Sequence, residues 1–360
     1  MVGAPRVFRG RPRGPEGRLL ALALSCALLI RCGATSADSE SRHGSVERIV
    51  VHGQSLEGNL EGDSPDREVS VYLPAGYRAD GSRRYPVVYL LHGFTDTDER
   101  WFGAEPLFDG RAAADRAFSG AVPEMIIVMP NARTRYFGSM YSDSPTTGDW
   151  EHFVARDLVT YIDHRYRTIA DRASRGLAGH SMGGYGALRL GMKFPAVFSS
   201  VYALSACCLQ PANLQDPVWA NLPDVRTDEQ LAAAPFMAKA LFASAAAWSP
   251  DPSSPPWYLD LPRRDGKVLP DVVAKWAANS AVRMVERYAS NLRQLQAIAL
   301  DVGTQDSLID GVRAFDRALS DAGVAHTLET YDGDHLNRIE RRFGESTLPF
   351  LAHHLRFVSP

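Results

Sequence analysis

The sequence predicts an α/β protein with a mainly parallel central sheet and helices on both faces. Short β-type runs alternate along the chain with helical runs, and this alternation implies right-handed crossovers between parallel strands. The run YPVVYLLHG at 85–93 is almost continuously apolar, as expected of a strand buried on both faces. The 360 residues, 45% of them apolar and 22% charged, are enough for one large domain or two small ones.

The first 37 residues are predicted to be a cleavable signal peptide that is not part of the fold. Five arginines stand within residues 1–18, an apolar run occupies 19–30, and small residues lead to Ala37. The apolar run is too short to span a bilayer, so no stable membrane insertion is expected. Lipid attachment at Cys32 is the alternative, although an arginine precedes it where a small residue is usual. The protein is therefore expected to be secreted or periplasmic.

Residues 38–360 are predicted to form one domain. The strings EVSVYLP, YPVVYLLHG, MIIVMPN, GLAGHS, SSVYALSA, AIALDVG and HTLETYD predict strands. Helices are predicted over 150–164, 182–194 and 308–322, with another closing the chain. An insertion at about 209–290 interrupts the alternation and contains four tryptophans, an Ala-rich helical stretch and a Pro-rich string. We interpret it as a helical cap over the carboxyl edge of the sheet; a bulge on the far side is the alternative.

The string Gly-His-Ser-Met-Gly at 179–183 matches the pattern G-x-S-x-G. The match is weak by itself, but an apolar strand-like string precedes it and a small-residue helix follows. This strand–turn–helix setting exposes a serine hydroxyl, and the glycines permit a turn that a β-carbon would obstruct. Ser181 is therefore the predicted nucleophile; the alternative is a serine that only caps the following helix.

A serine hydroxyl becomes nucleophilic only when a base takes its proton. In this arrangement the acid and the base follow the serine along the chain. The candidate bases are His326, His335, His353 and His354. His335, in the loop after the last predicted strand, shares the edge of Ser181 and is the predicted base. Asp306, after AIALDVG, is the predicted acid that orients it, with Asp334 as a rival and helix capping as the alternative role.

Two further groups are expected at the same edge. An oxyanion hole needs two backbone N–H donors, and we predict those of Met182, directly after the serine, and Phe94, in the loop after YPVVYLLHG. His92 and His180 are expected to be structural. The Tyr- and Ser-rich segment 131–151 supplies candidate substrate-binding residues, with ordinary loop packing as the alternative: Tyr141, Ser142 and Trp150.

With these pieces placed, the chain resembles the putative-esterase family of α/β hydrolases, which includes S-formylglutathione hydrolases, feruloyl and acetyl-xylan esterases and mycolyltransferases. The strings that carry the resemblance are YPVVYLLHGF, DLVTYIDHRYRT, RGLAGHSMGGYGALRL, DVGTQDSL and YDGDHLN, within 68–208 and 297–355. The resemblance implies an α/β-hydrolase fold and places the family's nucleophile, acid and base on Ser181, Asp306 and His335.

Together with the predicted signal peptide, the resemblance implies a secreted serine esterase that cleaves small-molecule or carbohydrate-linked esters through an acyl-enzyme. An acyltransferase that passes the acyl group to a sugar or alcohol is one alternative. A non-catalytic binding protein on the same scaffold is another. The insertion is larger than in the compact members of the family, which leaves the substrate open.

Composition and motifs argue against several other classes. The formal net charge of −3 gives no basic surface for nucleic acid. There is no H-E-x-x-H motif, Cys/His cluster or dinucleotide glycine fingerprint, so no metal and no organic cofactor are expected. Cys207 and Cys208 remain after signal cleavage and are expected to be a buried apolar pair or a vicinal disulfide. The oligomeric state is left open.

Overall fold

The computed structural model of the protein describes residues 43–264 and 266–358; the predicted signal peptide and Cys32 lie outside them. The described strands, in chain order, are β1 Ser45–His52, β2 Asp66–Leu73, β3 Val87–Leu91, β4 Ile126–Pro130, β5 Asp143–Ser144, β6 Gly148–Asp149, β7 Arg175–His180, β8 Ser200–Leu204, β9 Arg263–Arg264, β10 Lys267–Val268, β11 Ala297–Gly303 and β12 Thr327–Tyr331. Eight of them form one sheet in the order β1–β2–β4–β3–β7–β8–β11–β12.

The sheet is mainly parallel, as predicted. Strand β2 pairs antiparallel with both β1 and β4, and the other neighbouring pairs of the sheet are parallel. The carboxyl ends of β3, β7, β8, β11 and β12 therefore meet at one edge. Loops that follow these strands are the usual place for a binding or catalytic site in a parallel sheet.

Both faces of the sheet are covered. Side chains of β3 alternate between two hydrophobic clusters: Val87 and Leu91 belong to one, and Val88 and Leu90 to the other. This alternation explains why the strand is apolar at every position. Helices Met182–Lys193 and Ile309–Asp321 contribute to the first cluster, and helices Gly110–Phe118 and Leu348–His354 to the second.

The remaining described α- and π-helices are Ala75–Ala79, Glu99–Phe102, Trp150–His152, Phe153–Leu158, Val159–Arg165, Asp228–Ala233, Phe236–Trp248, Pro270–Asn279, Ala281–Leu292, Ile339–Arg342 and Phe343–Thr347; short 3₁₀ helices span Gln54–Leu56, Arg172–Ser174 and Pro217–Trp219. Two of these, Phe153–Leu158 and Phe343–Thr347, are π-helical turns inside longer helical runs. In the part of the chain that the structure describes, no helix combines the length and the apolar character that a membrane crossing requires.

The insertion reaches the carboxyl edge of the sheet. Phe236, the first residue of helix Phe236–Trp248, contacts the ring of Phe94 after β3, with centroids 5.5 Å apart. The tryptophans of the insertion pack inward: the rings of Trp219 and Trp248 contact Trp276 at 5.8 and 5.4 Å. The aromatic area of these three residues therefore stabilises the insertion and does not line a substrate surface.

Candidate active site

Ser181 occupies a strained turn between β7 and helix Met182–Lys193. Its backbone has φ 57° and ψ −115°, a combination that few non-glycine residues adopt. The flanking glycines are required by close packing. A β-carbon on Gly179 would lie 2.2 Å from the carbonyl oxygen of Gly183, and one on Gly183 would lie 1.9 Å from that of Leu91. The turn presents the serine at the carboxyl edge of the sheet.

Ser181, His335 and Asp306 form one hydrogen-bonded chain, here called the triad. Ser181 Oγ lies 3.0 Å from His335 Nε2, and His335 Nδ1 lies 2.8 Å from Asp306 Oδ2. When Nδ1–H donates to the carboxylate, Nε2 is left to accept the serine O–H. The imidazole side chain is 32% exposed and the carboxylate is fully buried behind it.

Two neighbouring loops bring Asp306 and His335 together. Their strands, β11 and β12, are parallel neighbours. A β-carbon on Gly303 would lie 2.1 Å from the carbonyl oxygen of Gly333, so glycine is needed for the loops to approach this closely. Asp306 also accepts the N–H of Leu308 at 2.9 Å. Burial acts to raise the pKa of Asp306, but the hydrogen bonds from His335 and Leu308 outweigh it and the pKa is lowered.

His180 supports the loop that carries the triad histidine. It is buried, its Nε2 donates to the backbone carbonyl of His335 at 3.0 Å, and the two rings lie 4.7 Å apart. Burial, and then the charge of His335, lowers the pKa of His180 to about 3. The ring is therefore neutral near pH 7 and fixes the position of the His335 backbone, which is a structural role.

The two predicted oxyanion donors flank Ser181. Met182 is the first residue of its helix, so its N–H has no acceptor within that helix. Phe94 follows Gly93, where an added β-carbon would lie 3.5 Å from Ser181 Cβ. The loop after β3 therefore passes directly beside Ser181.

This loop is held in place by a hydrogen-bond network that the local sequence pattern does not reveal. Tyr141 O–H donates to the carbonyl of His92 at 3.1 Å, and Ala132 N–H donates to His92 Nε2 at 2.8 Å. His92 Nδ1 in turn donates to the carbonyl of Gly93 at 2.8 Å. Burial lowers the pKa of His92 to about 4, so its neutral ring both accepts and donates. Tyr141 and His92 thus position the backbone that leads to Phe94.

The three predicted substrate-binding residues are buried. Tyr141 and Ser142 are 0% exposed and Trp150 is 1% exposed. Ser142 Oγ accepts a hydrogen bond from Trp248 Nε1 at 3.2 Å, and Trp150 Nε1 donates to the carbonyl of Thr147 at 2.8 Å. The structure places none of the three at a surface that a substrate reaches, so the packing interpretation replaces the substrate-binding one.

The rival Asp334 and a further carboxylate, that of Asp301, are engaged elsewhere. Asp301 is buried in β11, where it accepts hydrogen bonds from Tyr202 O–H and Arg342 Nε, both at 2.9 Å. Asp334 accepts the N–H of Leu336 at 2.8 Å. The carboxylate that contacts the His335 ring is that of Asp306.

The two cysteines depart from the expected buried pair or disulfide. Cys207 and Cys208 are free thiols, and both are partly exposed. They follow β8 at the carboxyl edge, where Cys207 N–H donates to the carbonyl of Ser181 at 3.1 Å. Their position at the end of a strand, and not inside it, explains the exposure. Within residues 43–264 and 266–358, no group of three or more His, Cys, Asp or Glu side chains could hold a metal ion.

Comparison with known proteins identifies the family. A family model described as "Putative esterase" matches residues 64–339, which contain all three triad residues. The chain belongs to this esterase family. A solved ferulic acid esterase is 27% identical to it, with a TM-score of 0.62 over 87% of this chain and 99% of the other. The chain has the α/β-hydrolase fold.

Curated relatives carry related names. An esterase of Mycobacterium tuberculosis is 28% identical over 284 residues, which are 75% of this chain and 52% of the relative. An S-formylglutathione hydrolase of Paracoccus denitrificans is 39% identical over 155 residues, which are 38% of this chain and 50% of the relative. The chain thus spans about half the length of these curated relatives.

Proposed function

We propose that this protein is a serine esterase that hydrolyses carboxylic esters through an acyl-enzyme. The observation that carries the proposal is the triad itself: a serine on a strained turn, hydrogen-bonded to a partly exposed imidazole whose other nitrogen meets a buried carboxylate. Such a chain lets the imidazole remove the serine proton while the carboxylate stabilises the imidazolium that forms. Membership of the esterase family supports the same chemistry.

The proposed reaction has two halves. Ser181 Oγ attacks the ester carbonyl carbon, and His335 Nε2 accepts the serine proton and delivers it to the leaving alcohol oxygen. Water then attacks the acyl-enzyme, His335 takes the water proton, and the carboxylic acid leaves as Ser181 regains its proton. In both halves the N–H groups of Phe94 and Met182 hold the negative carbonyl oxygen, each contributing roughly 3 kcal/mol to stabilising the transition state.

The proposed substrates are small-molecule or carbohydrate-linked esters, and we propose that the enzyme is exported. The name of the ferulic acid esterase with the same fold supports an ester of this kind. Export follows from the predicted signal peptide. N-terminal sequencing of the protein recovered from culture medium or periplasm is expected to begin just after Ala37; a chain that keeps its first residues inside the cell would contradict export.

The test of the activity compares the wild type with Ser181→Ala on p-nitrophenyl esters from acetate to palmitate and on a feruloyl ester. We expect serine-dependent turnover with an optimum acyl length, and a loss of about 10⁴-fold or more in the variant. Ser320→Ala, an exposed serine on helix Ile309–Asp321, is the matched control and keeps full activity. Residual turnover above a few per cent in a folded Ser181→Ala protein would contradict the proposed nucleophile.

A further inference from the structure

A cleft of about 570 Å³ adjoins His335, the proton acceptor of the proposed triad. The loops after β11 and β12 form one side of it and include Asp306, Asp334, His335 and Leu336. The segment just before helix Gly110–Phe118 forms the other side. The volume lies within the usual range of a binding site for a small molecule.

The chemistry of ester cleavage determines which part of the substrate faces this cleft. The oxygen of the leaving alcohol must accept the proton that His335 carries on Nε2, so the alcohol lies against His335. The carbonyl oxygen points instead to the N–H groups of Phe94 and Met182. The cleft is lined by His335, whose Nε2 lies 3.0 Å from Ser181 Oγ, and this contact places it where it could receive the alcohol part of the ester.

We propose that this cleft is the alcohol subsite, and that it selects neutral alcohols with an apolar face over anionic alcohols and thiols. The inference rests on the proposed esterase function. By microscopic reversibility the same subsite also receives an acceptor alcohol that attacks the acyl-enzyme in place of water. In that step the alcohol oxygen bonds to the acyl carbon, His335 takes the alcohol proton, and the Ser181 oxygen leaves and regains a proton from His335.

Two leucines give the cleft its apolar walls. Leu107 and Leu336 lie on its two sides and are 43% and 49% exposed, unusually high for side chains of this kind. Phe108, next to Leu107 in the chain, is buried, and the centroid of its ring lies 5.6 Å from that of His180. An alcohol that covers both leucines removes their apolar surface from water, which favours binding.

The charges of the cleft are of one sign. Three acidic residues and no lysine or arginine are among the residues that line it. Glu340 is paired with Arg116 at 2.7 Å and Asp306 with His335 at 2.8 Å. Asp334 has no lysine or arginine partner within residues 43–264 and 266–358, and N–H groups of Leu336 and Asn337 lower its pKa and keep it charged. An anionic leaving group would therefore meet an uncompensated negative charge.

The charge selection is tested with two aryl acetates that produce the same acyl-enzyme. 4-Acetoxybenzamide has a neutral leaving group and 4-acetoxybenzoate an anionic one of nearly the same shape. After division by the rate of non-enzymatic hydrolysis, we expect the wild type to prefer the amide about tenfold in kcat/KM. In Asp334→Asn this preference should shrink about fivefold, since the Asn oxygen keeps the backbone hydrogen bonds while the charge is removed. Asp321→Asn, at the opposite edge of the sheet, changes the net charge equally and leaves the preference unchanged.

The apolar walls are tested by separating acylation from deacylation. The leaving alcohol occupies the subsite only during acylation, because it has left before water attacks. Leu336→Ala should therefore lower the acylation rate for phenyl acetate about fivefold relative to methyl acetate. The deacylation rate of the acetyl-enzyme, measured after a pre-steady-state burst, should stay at the wild-type value. The rank order of acyl chains in the p-nitrophenyl series should also be unchanged. Val50→Ala on β1, also an exposed apolar side chain, is the control.

The outcomes are distinguishable from a failure of the proposed function. Full turnover by Ser181→Ala would overturn the esterase mechanism itself. Serine-dependent turnover with no preference between the two aryl acetates would overturn the charge selection alone. Equal slowing of acylation and deacylation in Leu336→Ala would show a structural role for the leucine and overturn the alcohol subsite.

Discussion

Two polar regions lie near the carboxyl edge of the sheet, and similar side chains behave differently in them. In the triad the hydroxyl of Ser181 meets a partly exposed imidazole. In the segment 131–151 the hydroxyls of Tyr141 and Ser142 are wholly buried and are bonded to backbone groups or to Trp248. A hydroxyl becomes reactive where both a base and the substrate can reach it. The amino-acid composition of a loop does not decide whether its hydroxyls are accessible in this way.

Two buried carboxylates, one in the triad and one that adjoins the segment 131–151, differ in the same way. Asp306 is buried with hydrogen-bond donors, which lower its pKa. Glu61 donates its backbone N–H to the carbonyl of Thr146 in the segment 131–151, yet neither of its carboxylate oxygens has a partner among the described residues. Burial, and then the charge of Asp63, raises the pKa of Glu61 to about 9. Burial by itself disfavours the charged form of a carboxylate, which is kept only where hydrogen-bond donors outweigh the cost of burial.

Of the changes that test this comparison, removing the charge at the buried end of the triad is expected to have the largest effect. Asp306→Asn should lower kcat/KM for p-nitrophenyl acetate by about 10³- to 10⁴-fold, because an amide permits the wrong imidazole tautomer. The Asn oxygen still accepts the Leu308 N–H, so the circular dichroism spectrum should be unchanged. The control is Asp316→Asn, which removes the charge from a second described His–Asp pair, where Asp316 meets His326 at 3.0 Å. A loss below tenfold in Asp306→Asn would contradict the assigned role.

An intermediate effect, on stability alone, is expected from Glu61→Gln. The folded chain holds a proton on Glu61 up to a pKa of about 9, whereas the unfolded chain releases it near pH 4.3, so wild-type stability falls as pH rises through this window. Glutamine removes that cost and should raise Tm by roughly 5 °C at pH 8, with little change at pH 4. Thermal melts at both pH values test this, with exposed Glu105→Gln as the control. An equal change in Tm at both pH values would rule out ionisation as the cause.

The smallest effect on activity is expected in the packed segment. Ser142→Ala removes the acceptor of Trp248 Nε1–H and should cost about 1 kcal/mol in the free energy of unfolding. Because Ser142 is buried away from the substrate, kcat/KM should stay within about threefold of the wild-type value. Urea denaturation and ester turnover measure the two quantities. A large loss of turnover at unchanged stability would restore the substrate-binding role for this serine.

Much of the fold followed from local pattern. The apolar runs of β3, β4 and β11 predicted buried strands because both of their faces are covered, and the predicted helix near 182–194 is the observed Met182–Lys193. Strand β1, Ser45–His52, was missed. It lies at the sheet edge and is largely exposed, so its sequence lacks the apolar run of a central strand.

The sequence by itself determined the turn at Ser181, because a strand, two glycines and a small-residue helix are short-range requirements that neighbouring residues meet together. It also placed Asp306 and His335 at the ends of strands. Only the tertiary structure decided that these groups meet, since Ser181 and His335 are 154 positions apart. It likewise decided that Tyr141 supports His92 and that Ser142 is buried. Burial depends on which distant segments cover a residue, and Ser142 is covered by the insertion through Trp248.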